Sequence, residues 1–368
     1  MVIEWGKPDT EKVFLIGLAK NSRQRQEVET SLEELARLTF SAGAEVVGQF
    51  IQIRLKPNPA FYIGSGLVAK LKEALVEKDG NCVVFDDALS PAQQRNLEKE
   101  LKVKVIDRPI LILDIFATRA RTKAAKLQVE LAQLEYALPR LTGAWVHFSR
   151  QYGGIGAKGP GETQLEIDRR QIRTRIAHLK EKLKKLSNQR SIQRKKRQNL
   201  FKIALVGYTN AGKSTLFNLL TKSQVSTMDK LFTTLDSTTR VMSSGYPYTI
   251  VFSDTVGFIK KLPHQLVASF KSTLEEVSLA DLLLLVVDSS QPNYQQRIAY
   301  THQVLSEIGA SIIPYLLVYN KIDSCDGFYP ENNNNDKTFY ISAKFRQGIN
   351  ALQSEIIAYS HLCQKQKN

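Results

Sequence analysis

Lys202-Ile-Ala-Leu-Val-Gly-Tyr-Thr-Asn-Ala-Gly-Lys-Ser-Thr215 reads as a short apolar strand, a tight glycine turn and the start of a helix. Inside it, Gly207-x-x-x-x-Gly212-Lys213-Ser214 has the spacing of a phosphate-binding loop. The two glycines let the backbone curl so that successive N–H groups face an anion, and the helix behind adds its positive end. Gly207, Tyr208, Thr209, Asn210, Ala211, Gly212, Lys213, Ser214 and Thr215 are therefore the expected phosphate cradle. Lys213 would reach the β- and γ-phosphates, and the Ser214 hydroxyl would bind Mg²⁺. The alternative is a chance match in a Gly/Ser loop. Ile203–Val206 before the turn and Leu216-Phe217-x-Leu219-Leu220 after it supply the strand and helix that a chance match would lack.

The base is chosen further along the chain. Asn320-Lys321-Ile322-Asp323 follows the apolar run Ile313–Tyr319, which places it at a strand's C-terminal end, where open α/β sheets bind ligands. A carboxylate there can accept from guanine N1–H and the 2-amino group; adenine offers neither donor, so Asp323 would be left unpaired. Ser342-Ala343-Lys344, after a strand at Thr338–Ile341, resembles the guanine-backing element of GTPases. Asp254-Thr255-Val256-Gly257 follows a strand at Thr249–Ser253. Asp254 would hold Mg²⁺ through water, and the Gly257 amide would sense the γ-phosphate. The first switch loop falls in Met228–Thr239. In Phe232-Thr233-Thr234-Leu235-Asp236, Thr234 is the expected Mg²⁺-binding hydroxyl and Thr233 its competitor. The expected metal ligands are thus Ser214 and Thr234, and the expected catalytic set is Lys213, Thr234 and Gly257.

Composition narrows the class. The chain has 368 residues, enough for two or three domains, and its 43% hydrophobic content is ordinary for a soluble protein. No run approaches the roughly 20 apolar residues of a membrane span. The sequence Met1-Val-Ile-Glu-Trp-Gly-Lys7 lacks a signal-peptide pattern. Cys82, Cys325 and Cys363 are widely spaced, giving neither a disulfide framework nor a metal-ligand pattern, which suits a reducing cytoplasm. The net charge of +15 is concentrated: residues 171–200 hold eleven Lys and Arg against Glu181 alone. Such a block is a footprint for phosphate backbones, with a solvated linker or an anionic lipid surface as alternatives.

Along the chain, strands at Val13–Ala19, Glu45–Arg54, Cys82–Phe85 and Val103–Ile106 alternate with helices at Gln24–Ser41, Val68–Val76 and Pro91–Leu101. The alternation predicts a small parallel sheet with helices packed on it. Tyr62-Ile-Gly64-Ser-Gly66 reads as a plain strand–helix turn. A long helix is expected over Ile115–Leu138, and another over Glu162–Ser187 whose Ile172, Ile176, Leu179, Leu183 and Leu186 step like a coiled-coil seam. The two would pack as an antiparallel hairpin. Its tip, Gln151–Gly161, has five glycines in eleven residues and suits close approach to nucleic acid, with Arg150, Tyr152 and Lys158 at hand. A basic linker over Ser187–Asn199 would follow, Ser324–Asp336 reads as a surface loop, and Ile349–Leu362 as a closing helix. The fold class is α/β in three parts: a small parallel α/β domain (1–112), a helical hairpin with glycine-rich tip and basic linker (113–199), and a Ras-like P-loop GTPase domain (200–368).

Together these residues resemble the HflX family of translation-associated GTPases, within the wider Obg-like group, over nearly the whole chain. The most specific matches lie outside the P-loop: Gln128-Val-Glu-Leu-Ala-Gln-Leu-Glu-Tyr136, Leu138-Pro-Arg-Leu-Thr-Gly143, Ser149-Arg-Gln151, Gly153-Gly-Ile-Gly156 and Gly159-Pro-Gly-Glu-Thr-Gln-Leu-Glu166. The resemblance implies a cytoplasmic protein, peripheral membrane contact apart, that binds the large ribosomal subunit and its rRNA. It would split or rescue stalled ribosomes and hydrolyse GTP under ribosomal stimulation, with Mg²⁺ as cofactor; a monomer is the simplest expectation. Two departures stand out: Leu67 occupies a position usually held by Lys, and longer relatives carry a further C-terminal domain.

A Gln often follows the Asp-x-x-Gly motif and orients the attacking water. Here Phe258 and Ile259 follow, and neither can bond a water, so slow intrinsic turnover is expected, with a partner supplying the missing group. Rival functions are an RNA-binding scaffold with merely structural nucleotide, and a GTPase acting on another RNA or at a membrane surface. The absence of aromatics from 171–200 disfavours the membrane.

Overall fold

The computed structural model describes residues 10–141, 164–195, 200–223, 231–232, 238–242, 249–261, 276–325 and 337–367. The chain divides into two compact units. One comprises Met1–Thr118 with Val129–Glu181, the other Arg119–Gln128 with Lys182–Asn368.

The first unit is built on β1 (Lys12–Ala19), β2 (Glu45–Ile53), β3 (Cys82–Phe85) and β4 (Lys104–Asp107), in the order β2-β1-β3-β4. All three pairings are parallel, as the alternation predicts. The central strands are near-continuous apolar runs because both faces are covered. The crossovers are α1 (Arg25–Ala42), α2 (Ser65–Glu77) and α3 (Pro91–Leu101). α1 stops at Gly43 in the left-handed conformation, which relieves the last carbonyls. α3 starts with a Ser90/Gln93 capping box and Pro91 in its first turn. Phe14, Ile16, Leu71, Val83, Phe85 and Leu97 form the core beneath.

The long helix expected over Ile115–Leu138 is two helices, α4 (Arg108–Arg119) and α5 (Lys123–Ala137). The break has a local cause that leucine periodicity does not register. The Thr122 hydroxyl accepts the Ala125 N–H at 3.1 Å, and its carbonyl accepts the Lys126 N–H at 3.0 Å, so a new helix is capped there. The second long helix is also displaced: α6 runs Gln164–Lys195, through most of the expected linker. Lys, Arg and Gln are good helix formers, and a charged run need not be extended. Ile176 and Leu179 of the seam are buried, and Arg175–Glu130 and Lys180–Glu135 ion pairs at 2.7 and 2.8 Å tie α6 to α5. The glycine-rich tip, 151–161, lies outside the described residues.

The second unit carries a six-stranded sheet in the order β10-β9-β8-β5-β7-β6. Its strands are β5 (Phe201–Val206), β6 (Thr238–Val241), β7 (Ile250–Asp254), β8 (Leu282–Asp288), β9 (Tyr315–Asn320) and β10 (Thr338–Tyr340). All pairings are parallel except β6 with β7. Around them lie α7 (Lys213–Thr221), α8 (Tyr294–Glu307) and α9 (Ile349–Lys367). Alternate residues of β5 enter opposite cores: Ile203 and Leu205 join Leu216, Leu284 and Leu352, whereas Ala204 and Val206 join Leu283, Val304 and Leu317. The strand order reverses beside β5, so its C-terminal end is the topological switch point of the sheet.

Candidate nucleotide site

The P-loop leaves β5 at that point. Gly207 has φ +141, and a Cβ there would lie 2.2 Å from the Val286 carbonyl oxygen. Gly212 has φ +91, and a Cβ there would lie 2.1 Å from Asn320 Nδ2. Both positions are therefore closed to other residues by conformation and by space. Gly212 is the N-cap of α7 and offers no side-chain cap, which leaves the first amides of the helix to an external anion. The Thr209 hydroxyl is buried with no hydrogen-bond partner among the described residues. A phosphate oxygen would relieve that cost.

Lys213 is buried at the start of α7, and its ammonium donates to the Gly207 and Tyr208 carbonyls at 3.1 and 2.7 Å. Burial pulls its pKa down to about 8, partly offset by the nearby Asp254 carboxylate. Ser214 Oγ donates to Asp254 Oδ2 at 2.7 Å. A hydroxyl beside a carboxylate is an all-oxygen donor set, which is what Mg²⁺ takes. Among the described residues no cluster of three His, Cys, Asp or Glu could hold a metal on its own. The ion would need nucleotide oxygens to complete its shell. Phe232 is buried with φ +57, while Thr233, Thr234, Leu235 and Asp236 lie outside the described residues.

Asp254 ends β7, and Thr255, Val256 and Gly257 follow it beside the P-loop. The Thr255 hydroxyl donates to the Leu205 carbonyl at 2.6 Å. A Cβ on Gly257 would stand 2.7 Å from Thr209 Cα and 2.9 Å from Lys213 Nζ, so only glycine fits there. Phe258 N–H donates to Gly207 O at 3.1 Å, and Thr209 N–H donates to Phe258 O at 2.8 Å. The Phe258 ring, 3% exposed, is packed among Val206, Val277, Leu283 and Leu305. It faces a core rather than a phosphate.

The expected base-binding motif is braced from several sides. Asn320 Nδ2 donates to the Ala211 carbonyl at 2.9 Å, and Asn320 Oδ1 accepts the Ala343 N–H at 2.9 Å. One side chain thus joins the P-loop to the segment after β10. Lys321 has φ +65 and pairs with Asp288 at 2.8 Å. Ile322 N–H donates to the Ile341 carbonyl at 3.3 Å. The exposed Asp323 carboxylate accepts the Ser342 hydroxyl at 2.5 Å, which holds its pKa below the usual carboxylate range. Lys344 is exposed, its ammonium 5.2 Å from the Phe345 ring.

Pattern alone does not single out Asp288, Ser289 or the Tyr208 hydroxyl, which accepts the Lys260 N–H at 2.8 Å. The available signal was the apolar run Leu282–Val287 ending in Asp288, the mark of a buried parallel strand.

Three families match successive stretches of the chain: one described as GTP-binding GTPase N-terminal over residues 29–117, one as GTP-binding GTPase Middle Region over 119–197, and one as 50S ribosome-binding GTPase over 202–321. The GTPase HflX of Flavobacterium psychrophilum is 49% identical over 85% of this chain and 76% of its own length. That of Caldanaerobacter subterraneus is 48% identical, with 95% and 80% covered. That of Escherichia coli is 47% identical, with 86% and 76% covered. The crystal structure of SsGBP in complex with GDP is 27% identical and superposes with a TM-score of 0.51, covering 96% of this chain and 99% of that one. A P-loop at the switch point of the sheet and a braced Asn-Lys-x-Asp element, shared with relatives this similar over most of the chain, make it a member of the HflX family of GTPases.

Proposed function

We propose that this GTPase works on the large ribosomal subunit, hydrolyses GTP fast only when bound there, and uses the GTP cycle to split or rescue stalled ribosomes. The observation that carries this reading is Phe258. Where a water-orienting glutamine would stand, the side chain is a buried phenyl ring, and its backbone is bonded to the P-loop on both sides. The phosphates would still be neutralised by Lys213 and the amides of Gly207–Thr215, and the Gly257 amide would meet the γ-phosphate. Ser214, with Thr234 as its partner, would hold Mg²⁺, which supplies charge neutralisation between the phosphates. Asn320, Lys321, Ile322, Asp323, Ser342, Ala343 and Lys344 would hold guanine. At the position of that glutamine the chain offers no hydrogen-bonding side chain, and in this reading the water-aligning group comes from the partner.

The match of residues 202–321 to the family described as 50S ribosome-binding GTPase names a fitting partner. The basic helix α6, with eleven Lys and Arg against Glu166, Asp168 and Glu181, supplies charge for rRNA. In this reading 1–112 and 113–199 are the parts that reach rRNA and 200–368 is the motor. In this reading the protein acts in the cytoplasm as a monomer, peripheral membrane contact apart; no helix among the described residues is long and apolar enough to cross a membrane. The test is co-sedimentation of the GTP-loaded protein with purified large subunits across a salt series. Binding should fall steeply with salt, as for a protein neutralising about 6–10 phosphates. Salt-independent binding, or none, would refute the rRNA interface.

A further inference from the structure

The residues that would touch guanine stand on a second set that would not. β8 ends opposite β9 with Asp288 in register with Asn320. The Asp288 carboxylate is buried and fully engaged: Oδ2 accepts the Lys321 ammonium at 2.8 Å, and Oδ1 accepts the Ser290 N–H at 3.1 Å and the Ser290 hydroxyl at 2.6 Å. The next residue works on the same target. Ser289 donates both its N–H, at 3.0 Å, and its hydroxyl, at 2.7 Å, to the Asn320 carbonyl. Cys325 Sγ closes the ring at 3.3 Å from Ser289 Oγ.

What this brace opposes is visible in the backbone. Lys321 sits at φ +65, a conformation that a residue with a long side chain adopts at a cost. The chain needs that kink to turn from β9 into the short helical turn Ile322–Ser324, which carries Asp323. The Lys321 stem is also only partly covered, so without an anchor the ammonium would sample many rotamers. The Asp288 ion pair fixes the far end of that side chain, and Ser289 fixes the peptide in front of it.

We propose that Asp288, with Ser289, is a positioning residue for base recognition: it holds Lys321 and the Asn320 carbonyl so that Asp323 meets guanine in one geometry. Among the described residues the Asp288 carboxylate bonds Lys321 and Ser290, neither of them an expected phosphate ligand, so its contribution falls on the base and not on the triphosphate. Asp288→Asn should weaken GDP binding by roughly tenfold, the scale of one lost charge-assisted hydrogen bond at a partly exposed lysine. ADP, which lacks the donors Asp323 recognises, should change little. The GDP/ADP affinity ratio should therefore drop by about the same factor, with turnover at saturating GTP preserved.

The experiment is equilibrium titration of the full-length protein with fluorescent GDP, IDP and ADP, for the parent, Asp288→Asn, Lys321→Met, the double variant of these two, and the milder Ser290→Ala. The expected order of GDP loss is Asp288→Asn above Ser290→Ala. The double variant should lose less than the two single changes added together, because both act through one ion pair. If Asp288→Asn lowers GDP and ADP affinity equally, or lowers only the melting temperature, the residue is merely structural and the proposal fails. If Asp288→Asn does not fold, Ser290→Ala decides: an unchanged GDP/ADP ratio in that variant overturns the proposal.

Discussion

The two sheets of this chain use the C-terminal ends of their parallel strands in opposite ways. In the six-stranded sheet the C-terminal ends of β5, β7 and β9 open into Gly207–Gly212, Asp254–Gly257 and Asn320–Asp323, where Gly207, Asn210, Gly212 and Lys321 have left-handed backbone. In the four-stranded sheet the ends of β3 and β4 carry as much charge, yet it is consumed internally. Arg108 is wholly buried, and donates to Asp86 at 2.5 Å, to Glu34 at 2.9 Å and to the Ser31 carbonyl at 2.7 Å. Asp107, whose pKa burial raises, accepts from Leu89 N–H at 2.9 Å, from Ile110 N–H at 3.1 Å and from the Tyr136 hydroxyl. Parallel topology creates an edge suited to ligands, but glycine and positive φ leave it open, while long side chains from neighbouring helices close it.

The difference can be broken at either edge. The largest effect should come from the closed one. Arg108→Ala removes the cation from the buried Asp86 and the partly buried Glu34 and should destabilise the N-terminal unit by about 3–5 kcal/mol, read by urea unfolding, with GDP affinity unchanged. A loss near zero would mean that the buried network contributes nothing. Next is the open edge. Gly212→Ala forces a Cβ against the Asn320 amide at a position with φ +91, and GDP affinity should fall by about a hundredfold or more without loss of the N-terminal unit. Retained affinity would show that the cradle tolerates a side chain.

A smaller effect sharpens the same contrast through pH. The pKa of Lys213 is lowered to about 8 by burial, whereas an unfolded lysine titrates near 10.4. Between those values the unfolded state binds the extra proton, so stability of the nucleotide-free protein rises with pH across that window. Phosphate oxygens favour the ammonium, so binding above pH 8 has to take up a proton. GDP affinity should weaken by up to about tenfold per pH unit above 8 and stay flat below it. A flat profile to pH 9.5 would place the Lys213 pKa higher. The smallest effect belongs to the surface: Glu130→Ala removes the exposed pair with Arg175 and should change stability by less than about 1 kcal/mol.

Much of this was legible in the chain because it is local. The N-terminal alternation fell within a residue or two of β1 to β4, and Pro91–Leu101 and Cys82–Phe85 matched at both ends, where Ser90, Pro91 and an apolar run mark the boundaries. The cradle glycines were legible for the same reason. The break at Ala120–Thr122 was not, because no glycine or proline stands there and only the Thr122 cap marks it. The reach of α6 to Lys195 was hidden by charge that looks like a linker but is carried on helix-forming residues. The Asp288–Lys321 pair was out of reach altogether. It depends on the register of two strands separated by a helix, and no spacing rule encodes that. The burial of the Phe258 ring depends likewise on Val277, Leu283 and Leu305, which spacing does not bring together.

The most direct test is the rate of GTP hydrolysis by the full chain, alone and with purified large ribosomal subunits, at saturating GTP and Mg²⁺. With Phe258 locked in the core, turnover should be slow alone and rise at least about a hundredfold, near 3 kcal/mol off the barrier, when the subunit is added. Equal rates with and without the subunit would contradict the account, for then the chain would possess the water-aligning group that we assign to its partner.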